Sequence, residues 1–189
     1  MFSNVVVHED HVFAAHGRSN QTRVFQLDDT SSSPEWRQLR SIDHYFDTKG
    51  RALTLSISNN QLKRCSSDDG IIKVYSLSGD LLQTYGTRGC GGAGQLDCPY
   101  ISDNDDDGSM LIADNGNGRL QVMSEQGEFS VLKLQPPVSR PRSAVLFNNH
   151  MFVTLFQKKT IYKYRAEPQL DQSPTGQLNK RRTSFCVLI

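Results

Sequence analysis

Three histidines near the N-terminus, His8, His11 and His16, are close enough in sequence to share a metal ion if the chain between them folded back. A metal there would supply Lewis-acid chemistry, as a hydrolase or lyase uses it. Exposed hairpin histidines fit the pattern better, because His8 and His11 straddle an expected turn and His16 enters the next. An acidic run, Asp103-Asn104-Asp105-Asp106-Asp107-Gly108, sets carboxylates at alternating positions with glycine sixth and Asp114 twelfth, as a calcium loop does. Its flanks alternate like strands, and aspartate stands where a bidentate glutamate is usual. A solvated turn is therefore expected, with Asp103, Asp105 and Asp107 as the metal alternative. Gly89-Cys90-Gly91-Gly92-Ala93-Gly94 has dinucleotide-loop spacing, but Pro99 discourages the helix that would have to follow. No Ser/His/Asp or Cys/His grouping has supporting context. The expectation is a non-enzyme with no catalytic residues, no cofactor and no metal.

Cations offer a different chemistry. Arg88, Arg119, Arg140, Arg142, Lys158 and Lys159 fall at or beside expected turns. If those turns share a face they form a patch for phosphates, with Tyr85, Tyr100 or Phe156 near enough to stack a base. Over the chain, 21 Lys and Arg meet 20 Asp and Glu for a net charge of +1, which argues against general DNA coating. The expected partner is protein or RNA, not DNA, and nothing points to an oligomer. Cys186-Val187-Leu188-Ile189 fits a prenylation signal behind the basic Lys180-Arg181-Arg182, so a membrane is a partner only if Cys186 is lipidated. The stretch Ser184–Ile189 also reads as a closing strand.

The elements that position these residues follow from length and periodicity. The 189 residues are 37% hydrophobic and 22% charged, room for one packed core and too apolar for a disordered chain. Cys65, Cys90, Cys98 and Cys186 form neither a disulfide framework nor a CxxC pair. The N-terminus lacks a basic n-region and an apolar h-region, and no apolar run nears the ~18 residues of a membrane span. A cytoplasmic protein is expected. A phrase of polar turn, short apolar strand, Gly/Asn turn and alternating strand recurs through the chain. It sets Val24, Val74, Val122 and Lys163 in register at steps of 50, 48 and 41 residues. The stretch 35–40 suits an outer strand or a short helix. The fold class is all-β: a propeller of antiparallel four-stranded blades, about four of them, at 1–45, 46–93, 94–140 and 141–167, before a flexible basic tail over 168–189.

Pro99, Asp107, Gly108, Asp114, Gly116, Asn117, Arg119, Val122 and Gly127, with the Gly-rich link 85–99 before them, resemble the NHL repeat. The resemblance covers roughly residues 70–134. It implies a ring of about six blades of which this chain is an arc. It also implies a non-catalytic binding or scaffold module, such as the substrate- or RNA-recognition part of a tripartite-motif ubiquitin ligase whose RING is absent here. Metal-dependent propeller hydrolases or lyases are the alternative. Asp114, Asn117 and Arg119 are expected to brace one another inside the blade, with Gly116 and Gly118 taking positive φ in the turn.

Overall fold

The computed structural model describes residues 2–16, 21–28, 35–44, 52–104, 108–148, 150–158, 160–168 and 183–186, and every regular element among them is a strand. Blade 1 is β1 (Phe2–His8), β2 (His11–His16), β3 (Gln21–Asp28) and β4 (Glu35–Asp43). Blade 2 is β5 (Ala52–Ser58), β6 (Gln61–Ser66), β7 (Ile71–Ser76) and β8 (Leu81–Tyr85). The link to blade 3 holds two short parallel strands, β9 (Thr87–Arg88) and β10 (Gln95–Leu96). Blade 3 is β11 (Pro99–Asn104), β12 (Met110–Asp114), β13 (Arg119–Met123) and β14 (Phe129–Val131), and the next link carries β15 (Leu134–Gln135). Blade 4 is β16 (Pro141–Phe147), β17 (His150–Leu155), β18 (Ile161–Pro168) and β19 (Thr183–Cys186). Within each blade the strands pair antiparallel in chain order, and β15 adds to β19 in parallel. The stretch that suited strand or helix is β4. Thr183–Cys186, assigned to the tail by composition, form the closing strand of blade 4: β18 presents an unpaired edge, and Arg165 to Pro168 take Cys186 to Thr183 along it.

Sheet parity explains why the middle strands look apolar on both faces. Leu62 and Tyr75 are cross-strand partners facing blade 1, while Cys65 and Ile72 pair on the other face toward blade 3. Three cores result. Phe13 and Val24 meet Leu62 and Tyr75 between blades 1 and 2. Ile72 meets Ile101, Met110 and Met123 between blades 2 and 3. Leu111 and Leu120 meet Met151 and Tyr164 between blades 3 and 4. Each such side chain contributes about 1.5–3 kcal/mol by leaving water.

The first strands line the axis: β1 packs on β5, β5 on β11 and β11 on β16. Their free edges are stapled by side-chain oxygens. Asn4 Oδ1 accepts from the Leu55 N–H at 2.9 Å, Thr54 Oγ1 from Ile101 at 2.7 Å and Asp103 Oδ2 from Leu146 at 2.9 Å. The series ends at β16, so the described residues form a four-bladed arc and not a closed ring. No helix among the described residues is long and apolar enough to cross a membrane.

Candidate functional site

Strands that run up and down in turn put alternate connections at opposite ends of the arc. Turns after the first and third strands of each blade lie at one end. Turns after the second strands, and the links between blades, lie at the other. This second, connector end receives Arg88, Arg119, Arg140, Arg142 and Lys158. Lys159 lies outside the described residues.

The centre of the connector end is a buried polar knot. Asp114 ends β12 fully buried, where an unpaired carboxylate would be very costly. Its Oδ1 accepts from the Asp97 N–H at 2.8 Å. Its Oδ2 accepts from Asn117 at 2.8 Å, Arg119 Nε at 2.9 Å and Gln121 at 2.8 Å. The rest of the Arg119 guanidinium donates to the carbonyls of Gly91 (3.1 Å), Gly92 (2.9 Å) and Gln95 (2.8 Å), all in the blade 2–3 link. Asn117 adds the Gly89 carbonyl at 2.8 Å, and Gln121 both donates to Gln95 O and accepts from the Gly94 N–H. Glycines let the link lay its carbonyls on the guanidinium, which is why dinucleotide-like spacing appears without a phosphate site; a strand, β10, follows. Arg119 is thus turned inward at 17% side-chain exposure, so the residue named as a partner contact is taken up by the brace.

Gly118 takes φ +63°, as expected of its turn. Gly116 does not take positive φ. It is there for close approach: its N–H donates to Asp97 O at 2.9 Å, and a Cβ would fall on the Asp97 carboxylate. Gly108 and Gly127 take φ +81° and +85°, and Asp107 lies outside the described residues.

The remaining cations point outward. Arg142 lies over the Tyr100 ring, Cζ 3.8 Å from its centroid. Arg140 lies 4.9 Å over Phe156, whose N–H donates to Arg140 O at 2.8 Å. Lys158 is exposed in the same turn as Phe156, and Arg88 is exposed beside a shallow depression lined by Gly89, Cys90 and Asp97. These groups share a neighbourhood. Burial, then Asp97 and Asp68, push the Cys98 thiol up, while Arg88 and Arg140 pull it back. The surface is mixed rather than uniformly basic. Tyr85 is withdrawn from any stacking role, since it packs into the blade 2–3 core.

The three N-terminal histidines do not assemble a metal site. His8 pairs with His11 at one end of β2, and His16 pairs with Phe2 at the other, so the three cannot converge. Asp103 accepts from Leu146 and from its neighbour Asn104, while Asp105 and Asp107 lie outside the described residues. Among the described residues no three His, Cys, Asp or Glu side chains are grouped to hold a metal. Cys186 is in β19 by its backbone; residues 187–189 lie outside the described residues.

Sequence reasoning missed a second buried cluster, between blades 1 and 2. His44 Nε2 shares a hydrogen bond of 2.8 Å with Thr22 Oγ1, which Arg64 also reaches, and the His44 ring stands edge-on to Tyr75 at 4.5 Å. Burial, then the charges of Arg64 and Lys73, hold His44 neutral with its pKa lowered to about 2. Burial lowers Arg64 to about 10 and raises Tyr75 to about 12. The signal was present: Arg64 occupies an inward position between Leu62 and Ser66 in β6.

No protein-family model matches the chain, and no curated protein matches it significantly. Solved structures do. Virginiamycin B lyase from Staphylococcus aureus aligns over 87% of this chain and 52% of its own, with TM-score 0.64 and 14% identity. A putative 6-phosphogluconolactonase from Bacteroides uniformis aligns over 88% and 50%, with TM-score 0.64 and 15% identity. A Bacteroides thetaiotaomicron protein of unknown function aligns over 88% and 47%, with TM-score 0.67 and 14% identity. The chain therefore spans about half the length of these structures. They support the β-propeller and not the NHL assignment in particular. They also correct the expectation of a non-enzyme, since propellers of this shape include named enzymes. The chain is, on these likenesses, an arc of a β-propeller.

Proposed function

We propose that this arc is a recognition module that holds RNA on its connector end, with an acidic protein segment as the second partner class its cations fit. The observation that carries the reading is the pairing of Arg140 with Phe156 and of Arg142 with Tyr100, at the end that also bears Arg88 and Lys158. A guanidinium fixed on a ring keeps outward N–H groups for phosphate and offers a flat surface on which a base can stack. In this reading Arg119 and Asp114 shape the end without touching the ligand. The resemblance to NHL repeats fits the same role, transcript or substrate capture within a larger tripartite-motif assembly.

The test is fluorescence anisotropy with a labelled single-stranded RNA and, in parallel, a labelled acidic peptide, at about 50 mM salt where phosphate contacts are least screened. RNA binding that weakens in Arg142→Ala is the expected result. Binding of the peptide alone moves the reading to a protein partner, and binding of neither removes it.

A further inference from the structure

Every blade meets its neighbours through two different faces, and the arc leaves one of each kind open. Blade 4 presents outward the face that blades 1 to 3 press onto the next blade. Its cross-strand rows are Val145, Phe152 and Lys163, and then Phe147, His150 and Arg165. Blade 1 presents outward the face that blades 2 to 4 use to receive the preceding blade, with Val5 and Val7 on β1 and Phe25 on β3. Both are apolar near the axis: Phe147 is 64% exposed and Val7 68%.

We propose that a second copy of this chain covers both faces, blade 4 of each copy docking on blade 1 of the other to close a ring of two arcs. Four observations carry this. The open faces are complementary by type, so the new junction repeats one the chain already makes three times. The axial staple has an unused member: Ser143 follows the register shift in β16 as Asn4 and Thr54 do in β1 and β5. Its hydroxyl is placed to accept from an edge N–H of the other copy's β1. Farther from the axis, Lys163 and Arg165 face the radius of Phe25 and, one strand further out, Trp36, rings that accept cations. The arc also spans 52% and 50% of solved chains of its fold, so two copies together match the length of one such chain. Four strands spaced ~4.8 Å apart, about five residues long, make a face of roughly 300 Å². Two such junctions then cover roughly 1,200 Å² over both partners, the lower bound for a specific interface. A head-to-tail contact of this kind closes when its rotation sums to a full turn.

Sedimentation equilibrium of the full chain is the test. The expected mass is twice the 21.2 kDa of one chain, falling to one chain in Val7→Glu and, separately, in Phe147→Glu. Both substituted residues are exposed in the single arc, so far-UV circular dichroism should be unchanged. If either variant loses its sheet signal, Ile161→Glu and Val5→Glu, also exposed and on the same two faces, replace the pair. A wild-type chain of single mass overturns the proposal. So does a dimer that survives Val7→Glu and Val5→Glu, which would pair blade 4 with blade 4, and so does an open polymer.

Discussion

The two joints of blade 2 bury charge in opposite ways. Toward blade 3, Asp114 and Arg119 form an ion pair whose every outward atom has a protein partner, most of them carbonyls of the glycine link. Toward blade 1, His44 is buried in its neutral form, with Arg64 and Lys73 both disfavouring its proton. The first joint derives from a motif within one turn and link. The second is assembled from Thr22, His44, Arg64 and Tyr75, which come from two blades. Saturated charge leaves a joint with each buried polar atom partnered, whereas a buried neutral base makes it acid-sensitive.

The sharpest way to break this contrast is Arg119→Ala. It leaves Asp114 buried with its charge uncompensated, at an expected cost of about 3–5 kcal/mol. For a chain of this length that lowers Tm by roughly 10 °C, readable in a thermal melt. Arg119→Lys should recover little, since one ammonium cannot reach Asp114 and three carbonyls together. The mirror experiment is a pH series on the other joint. His44 titrates near 2 when folded and near its ordinary 6.5 when unfolded, so below pH 6.5 the unfolded chain binds the extra proton. Stability is therefore full above pH 6.5 and falls by up to about 1.4 kcal/mol per pH unit as pH drops. His44→Gln should flatten that slope between pH 6.5 and 5 in denaturant titrations; an unchanged slope would assign the acid sensitivity elsewhere. A smaller effect is expected from Asp69→Ala, which occupies the place of Asn117 in blade 2 and accepts a 2.8 Å hydrogen bond from Ser66 across a half-buried turn. Its cost is about 1 kcal/mol by chemical denaturation. Arg142→Ala should move stability least, by less than about 1 kcal/mol for an exposed cation on a ring.

The contrast also explains what could be read from the residues alone. The brace of Asp114, Asn117 and Arg119 was legible because its members and their turn lie within six residues, where local hydrogen-bond chemistry constrains identity. The blade rhythm was legible through Val24, Val74 and Val122, which recur at inward positions. The strand β19 was not settled, because Ser184–Ile189 reads equally as a closing strand and as the end of a tail with a lipidation signal, and the pairing with β18 decides for the strand. Nor was the His44 cluster, which depends on sheet parity and on the rotation of one blade against the next. The cations were legible as turn residues, but only the fold separates Arg119, consumed inside, from Arg140 and Arg142, which face out on Phe156 and Tyr100.

That separation is the central claim, and one paired measurement tests it. RNA affinity is measured across salt for the wild type and for Arg140→Ala/Arg142→Ala, each with its melt. The double variant should keep its Tm within a few degrees, bind more weakly, and lose about 1.4 units from the salt dependence of single-stranded RNA binding. Equal affinity and an unchanged salt slope in the double variant would contradict the claim, as would a wild type that binds no RNA at about 50 mM salt.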